Sequence, residues 1–329
     1  MNKAFVFGKF LPFHKGHQAM ISFALGQCDF LSVLICCSNT ETISGELRKQ
    51  WINETFGCNP KLEVLVFNYN ESDLANTSQA SEEVSKAWSV IFKKLFPEYS
   101  TVVTSEPYGD YIAGFMNVKH IPFDISRRHI PVSATTIRTN LFENYRFLPD
   151  SVKPFYAIKV VVAGTESTGK TTLTQQLAAH FNCSYVLETA REIIPFSNNF
   201  QYSDLNTVVV AHASQISKAV LLDCPLVIID TDIYTTMSYA QFRFTKALTP
   251  NSNLLAVNKA HLYLYLNNDV AYVQDGTRLS EDDRNRLDLS HRRILNERAI
   301  AIQEIKGSWQ QRFEMAIKYI NQLLLAKTN

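Results

Sequence analysis

Ile158-Lys159-Val160-Val161-Val162-Ala163-Gly164-Thr165-Glu166-Ser167-Thr168-Gly169-Lys170-Thr171-Thr172 reads as an apolar strand, a glycine-bearing loop and the first turn of a helix. The strand is rich in β-branched residues, which fit a pleated, buried surface. The loop Gly164–Thr171 satisfies G-x-x-x-x-G-K-[ST] at every position, and its place between strand and helix is the context that motif requires. Gly164 and Gly169 let the backbone bend so that the N–H groups of Glu166, Ser167, Thr168 and the residues up to Thr172 surround phosphate oxygens. The helix N-terminus adds partial positive charge. Lys170 then reaches the β- and γ-phosphates, and the Thr171 hydroxyl is a ligand for Mg²⁺. A nucleotide is implied; an acceptor is not.

The same grammar occurs once more, near the N-terminus. Ala4–Phe7 is a strand, Gly8-Lys9-Phe10-Leu11-Pro12-Phe13-His14-Lys15-Gly16-His17 is the loop, and a helix follows near Gln18–Gly26. Beyond each loop, strand and helix signals alternate. In the first half, strands are expected at Phe30–Cys36, Leu62–Phe67, Thr101–Thr104 and Val118–Ile121, and helices at Glu46–Phe56 and Glu82–Phe96. In the second half, strands are expected at Tyr185–Glu188, Leu226–Asp230 and His261–Leu266. Helices are expected at Thr172–Phe181, Leu205–Asp223, Glu281–Ile302 and Trp309–Leu325. Alternating β and α units predict an α/β protein with two Rossmann-like parallel-sheet domains, each sheet covered on both faces. Pro149 and Pro154 bracket a short polar link, which places the domains at 1–150 and 156–329.

Composition narrows the function classes. The chain has 329 residues, of which 46% are hydrophobic, too many for a disordered chain. Residues 1–155 carry 15 basic and 15 acidic side chains, and the remainder 17 and 16, so neither half is a basic body that would neutralise a DNA backbone. Apolar runs such as Leu31–Cys37 are of strand length, and none reaches the roughly 18–20 residues of a membrane span. The N-terminus has no signal-peptide pattern, since Gly8, Lys9 and Pro12 interrupt any apolar core. The six cysteines form no C-x-x-C pair and read as reduced thiols, so the expected compartment is the cytoplasm.

Around the P-loop, three further signals stand out. Val227-Ile228-Ile229-Asp230 is a buried strand ending in an acid, placed like a Walker B carboxylate that holds Mg²⁺. Asp232, two residues on, is either a reserve acid or the N-cap of a helix starting at Ile233. Glu188 ends another strand, where the C-terminal edge of an open parallel sheet faces the ligand crevice. It can accept the proton of an attacking hydroxyl, with Arg191 close to phosphate, or it can be the charged start of a surface helix. Asp275-Gly276-Thr277-Arg278, with Arg284 and Arg286 beyond, suits a lid over the phosphates, with Arg278 reaching the nucleotide. Arg284 and Arg286 also suit a solvated charged helix.

In the first half, His14 and His17 meet at a helix N-terminus, which suits an anion. Imidazoles donate to phosphate oxygens and, when protonated, neutralise a pentacovalent α-phosphate. Gly8, Lys9 and Phe10 belong to the same loop. A zinc pair is disfavoured because no third ligand accompanies the two histidines. Val132-Ser133-Ala134-Thr135-Thr136-Ile137-Arg138 is a second phosphate signal: Ser133 caps a short helix, Thr135 lies in its first turn and Arg138 one turn further on.

H-x-G-H followed by S-x-T-x-x-R resembles the adenylyltransferase superfamily that makes NAD, and Gly8–His17 looks like the NadR version of it. Val152-Lys153-Pro154-Phe155, Gly164–Thr171, Asp230-Thr231-Asp232 and Asp275-Gly276-Thr277-Arg278 resemble the NadR kinase half. The resemblance runs from Phe5 to about Leu324. It implies an HxGH nicotinamide mononucleotide adenylyltransferase domain followed by a P-loop nicotinamide riboside kinase domain. The substrates would be nicotinamide riboside, nicotinamide mononucleotide and ATP with Mg²⁺, and the product NAD. In that scheme His14, His17, Lys9 and Arg138 stabilise the adenylyl transfer. Lys170, Asp230 and the base Glu188 serve the kinase, with Thr171 and Asp230 on the metal. Trp51, Trp88 and Tyr108 are either aromatic faces for the cationic nicotinamide ring or core residues. Enterobacterial NadR carries an N-terminal helix-turn-helix repressor domain, which is not expected here because the first strand opens at Ala4; DNA binding is not expected either. The resemblance leaves open a homo-oligomer and contact with a riboside transporter. The competing readings are another nucleotidyltransferase fused to a nucleoside kinase, and a nucleotide-sensing regulator of a transporter.

Overall fold

Strand β1 (Lys3–Gly8) and strand β2 (Phe30–Ser38) are nearly continuous apolar runs, buried along most of their length. Such strands fit only the interior of a parallel sheet covered by helices on both faces. In the computed structural model they form the centre of the first of two compact units, Met1–Lys153 and Pro154–Asn329. Residues 1–75, 81–194, 200–270 and 279–328 are described.

In the first unit the sheet order is β3-β2-β1-β4-β5, all parallel, with β3 at Leu62–Tyr69, β4 at Thr101–Thr104 and β5 at Lys119–Pro122. Its helices are α1 (Lys15–Leu25), α2 (Gly45–Phe56), α3 (Glu82–Leu95), α4 (Gly109–Met116), α5 (Ala134–Thr139) and α6 (Leu141–Asn144). Serine caps start three of them: Ser44, Ser81 and Ser133 each accept a backbone N–H from the first turn. On one face of the sheet, Phe5, Leu34 and Val102 pack against Trp88, Phe92 and Phe96 of α3 and its end. β1 lies between β2 and β4, so the direction in which strands are added across the sheet reverses there and a crevice opens beyond its C-terminus. The loop Gly8–His14 occupies that point.

The second unit repeats the plan. The short helix α7 (Lys153–Tyr156) leads into β6 (Ile158–Ala163), and the sheet order is β10-β9-β6-β8-β7, again parallel. β7 is Ser184–Val186, β8 Leu226–Asp230, β9 Leu262–Leu266 and β10 Gln303–Ile305. The helices are α8 (Lys170–Phe181), α9 (Ala190–Ile193), α10 (Tyr202–Ala219), α11 (Ile233–Phe244), α12 (Ser252–Asn258), α13 (Glu281–Glu297) and α14 (Trp309–Thr328). β6 lies between β8 and β9, so the P-loop occupies the second crevice.

Helices α4, α9 and α12 were unforeseen, and two expected elements end early. β7 stops at Val186, leaving Glu188 in the loop beyond it. The helix expected over Glu281–Ile302 ends at Glu297, and an unforeseen strand, β10, follows. Its stop is a left-handed turn at Ala299 (φ 54°), where Ile300 N–H donates to the Leu295 carbonyl. Glycine is the usual residue there, so the sequence carried no stop signal. α11 follows the N-cap alternative at Asp232: its first turn contains Thr235 and Thr236, poor helix formers held in place by that cap.

Candidate active sites

The P-loop geometry follows from two glycines with left-handed or extended positive φ. Gly164 (φ 141°) runs against the Leu266 carbonyl, which a Cβ would meet at 2.7 Å. Gly169 (φ 87°) begins α8 without a side-chain cap, so the first N–H groups of that helix face the loop. Lys170 is buried, and its Nζ donates to the Thr165 carbonyl at 3.0 Å. Thr168 closes the loop with a 2.8 Å bond to the same carbonyl. Glu166 accepts from Tyr239 Oη at 2.8 Å and from Leu279 N at 3.1 Å. Burial and Glu166 push the Tyr239 hydroxyl well up, which keeps it a donor. Ser167 (φ 60°) and Thr172 complete the loop and first turn. Arg278 lies outside the described residues.

The Thr171 hydroxyl donates to Asp230 Oδ2 at 2.6 Å, and Asp230 is fully buried at the end of β8. Burial pushes the Asp230 carboxyl up, while Lys170 opposes this and Glu188 adds to it. Two hard oxygens, one from a buried carboxylate, fit Mg²⁺, which takes its other ligands from water and nucleotide phosphates. Glu188 Oε2 accepts from Arg191 Nε at 3.1 Å, and Arg191 feels the charges of Glu188, Asp230 and Glu166 together. Asp230, Glu188, Lys170 and Arg191 thus share one neighbourhood. Asp232 does not join it. Its Oδ1 accepts from Thr235 N at 2.9 Å and Thr235 Oγ1 at 3.0 Å, the N-cap alternative. Arg284 is buried with Nε 3.5 Å from Thr165 Oγ1, whereas Arg286 is exposed and paired with Asp283 at 3.1 Å.

Sequence reading missed the brace behind this loop. Arg312, buried on α14, donates to the carbonyls of Thr168 (3.1 Å), Gly307 (2.9 Å) and Asn267 (3.0 Å), and pairs with Asp269. An arginine in an amphipathic helix gives no sign of such a role.

In the first unit Gly8, Lys9, Phe10, His14, His17, Ser133, Thr135 and Arg138 line one cavity of about 470 Å³. His14 is the N-cap of α1, its Nδ1 accepting from His17 N at 3.3 Å. With Nδ1 an acceptor, the neutral ring carries its proton on Nε2. A Cβ at Gly16 would come within 3.0 Å of that ring, which explains the glycine between the histidines. The two imidazoles stack at 3.6 Å between centroids, and Phe10, whose backbone takes φ 50°, packs edge-on to His17 at 4.9 Å. Burial first, then the nearby Arg127, lowers His14 to about 3. Burial, His14 and Arg127 likewise hold His17 well below the usual histidine range. Burial thus favours the neutral form of both imidazoles, which still donates to phosphate oxygens and leaves positive charge in the cavity to other groups.

That charge comes from arginines. Arg138 donates to the Leu11 carbonyl and to Thr135 Oγ1 (3.1 Å), joining α5 to the loop after β1. Arg127, absent from the sequence reading, lines the cavity and pairs with Glu106 at 2.7 Å; its signal was the basic run Arg127-Arg128-His129 ahead of Ser133. Lys9 lines the cavity but is tied to Glu41 at 3.1 Å, and the buried Arg48 shares that carboxylate at 2.7 Å. Trp88 and Tyr108 line the cavity, whereas Trp51 is buried and outside its lining.

The model of an AAA domain matches residues 159–312. The Trifunctional NAD biosynthesis/regulator protein NadR of Salmonella typhimurium is 26% identical over 348 residues, spanning 98% of this chain and 83% of that protein. Its namesake from Escherichia coli is 28% identical over 301 residues, spanning 83% and 70%. The crystal structure of NadR in complex with NR superposes with a TM-score of 0.69 at 21% identity, covering 98% of this chain and 96% of the other. NadR in complex with NAD and AMP-PNP gives 0.66 at 20% identity, with the same coverage. No helix among the described residues is long and apolar enough to cross a membrane. In sequence and in fold, the chain is similar to NadR over nearly its whole length.

Proposed function

We propose that the chain makes NAD in two steps: it phosphorylates nicotinamide riboside with ATP, then joins the resulting mononucleotide to the adenylyl group of a second ATP, releasing pyrophosphate. The observation that supports this reading is that, in a chain similar to NadR over nearly its whole length, Thr171 meets Asp230 at one sheet crevice and His14 meets His17 at the other. Residues 1–150 form the transferase domain and 156–329 the kinase domain, acting in the cytoplasm.

In the kinase domain, the Gly164–Thr171 loop binds the triphosphate through backbone N–H groups. Lys170 exchanges its bond to the Thr165 carbonyl for the β- and γ-phosphate oxygens. Thr171 and Asp230 would hold Mg²⁺, which when bound would neutralise charge on the transferring phosphoryl group. Glu188 takes the proton of the riboside 5′-hydroxyl, and Arg191 keeps that carboxylate oriented. Asp232, engaged in capping α11, has no part in the step.

In the transferase domain no protein nucleophile is required, because the mononucleotide phosphate is already ionised. His14 and His17 donate N–H bonds to the α-phosphate, and Arg138 and Arg127 supply positive charge as negative charge accumulates. Gly8, Lys9, Phe10, Ser133 and Thr135 shape the nucleotide pocket. The aromatic face for nicotinamide is then Trp88 or Tyr108, both of which line that cavity.

Purified protein incubated with nicotinamide riboside and excess ATP-Mg²⁺ is expected to yield first the mononucleotide and then NAD by liquid chromatography and mass spectrometry. Phosphorylation of other ribosides with none of nicotinamide riboside would replace this reading with a nucleoside kinase fused to a different nucleotidyltransferase.

A further inference from the structure

α14 opens on an aromatic side chain that phosphate handling leaves unused. Trp309 is fixed against the P-loop: a Cβ at Gly169 would lie 2.3 Å from its Cζ3 and 2.5 Å from its Cη2. The guanidinium of Arg312 lies over the ring, 5.5 Å from its centroid, and is itself held by three backbone carbonyls. Even so, 56% of the Trp309 surface is exposed. The ring borders a groove of about 500 Å³ between α8 and α14, whose other walls include Gln176, His180, Gln310 and Phe313.

The P-loop determines what part of a ligand reaches this groove. Lys170, Asp230 and Glu188 gather at the γ-phosphate end, where the acceptor must approach, so the nucleoside leaves the phosphates from the other end. Thr172, Gln176 and His180 are spaced i, i+4 and i+8 along α8 and share one face. At 1.5 Å per residue, Gln176 lies roughly 6 Å beyond Thr172, about the reach of a ribose. A rigid aromatic ring at that distance, with amides beside it, suits a nucleobase.

We propose that Trp309 is the platform on which the base of the phosphate-donor nucleotide rests, with Gln176, Gln310 and His180 at the edge of that base. The assignment rests on the P-loop being the donor site of the kinase. Because every base has a π-face, this platform favours purines through contact area and discriminates weakly between adenine and guanine.

The test compares wild type, Trp309→Ala and Trp309→Phe. In riboside phosphorylation, Trp309→Ala should raise the KM for ATP about tenfold or more, as expected for loss of a base–aromatic contact, while kcat stays within about twofold. Trp309→Phe should retain most of the affinity. Inorganic tripolyphosphate, which has no base, should inhibit wild type and Trp309→Ala equally. The KM for ATP in adenylyl transfer should not change. An unchanged kinase KM, or equal loss of ATP and tripolyphosphate binding, would overturn the assignment; the second result would make Trp309 a prop for Gly169. Should the wild type phosphorylate no riboside, the proposed substrate fails, but emission still decides this point. The difference in emission between wild type and Trp309→Phe should be quenched by ATP and not by tripolyphosphate; equal response to both overturns the platform.

Discussion

At His14 and His17, chemistry and stability are set by the same burial. Two imidazoles 3.6 Å apart, with Arg127 close by, cannot both accept protons, and desolvation removes the remaining tendency. In the unfolded chain His14 titrates near 6.5, whereas in the fold it is lowered to about 3. Between those values the unfolded state binds the extra proton, so the stabilisation is complete above pH 6.5 and is lost as pH falls toward 3. One histidine shifted this far contributes about 3 kcal/mol of lost stability between pH 8 and pH 4. His14→Asn keeps an N-cap acceptor for His17 N and removes the titrating ring. Urea unfolding should show wild type losing about 3 kcal/mol more than His14→Asn over that interval. Equal losses would mean that His14 is already protonated in the fold.

Among the elements, what could be read in the sequence was what is local. An apolar strand, a glycine loop and a capped helix lie within some 15 residues of one another, so both crevice loops and most of the parallel strands were found from the chain alone. Gly16 is legible as part of H-x-G-H, but its reason is the His14 ring beside it. The unread parts depend on contacts between distant residues. β10 follows a helix stop made by Ala299 in a glycine's conformation, and Arg312 meets Thr168 across 144 residues of sequence. The first turn of α14 is therefore part of the P-loop's structure. Arg312→Met keeps the apolar stem and strips the donors, leaving the Thr168, Asn267 and Gly307 carbonyls without them. At about 1–3 kcal/mol per buried unpaired group, partly recovered by water, the cost should be on the order of 3 kcal/mol. Calorimetry should show the kinase-unit transition falling by roughly 5–10 °C. Inhibition by tripolyphosphate should weaken as well, because the loop that binds it loses its support. An unshifted transition would show that the brace is solvated and dispensable.

For the whole molecule, the consequence of two units with two sheets is that the reactions can be cut separately. Each proposed phosphate site draws on loops at one sheet's own crevice, and no residue proposed for one belongs to the other. Lys170→Ala removes the charge on the transferring phosphoryl group and should block riboside phosphorylation. Supplied with the mononucleotide, that variant should still make NAD. His17→Ala removes a donor aimed at the α-phosphate, an effect on the order of 3 kcal/mol for an oxyanion-type donor. It should leave riboside phosphorylation intact and slow NAD formation about 100-fold. Mixing the two variants with riboside and ATP-Mg²⁺ sharpens the test, because the mononucleotide released by His17→Ala must diffuse to Lys170→Ala. NAD should then appear after a lag that shortens as protein concentration rises. If Lys170→Ala, folded by circular dichroism, made no NAD from the mononucleotide, the sites would not be independent, and one nucleotide would have to serve both reactions.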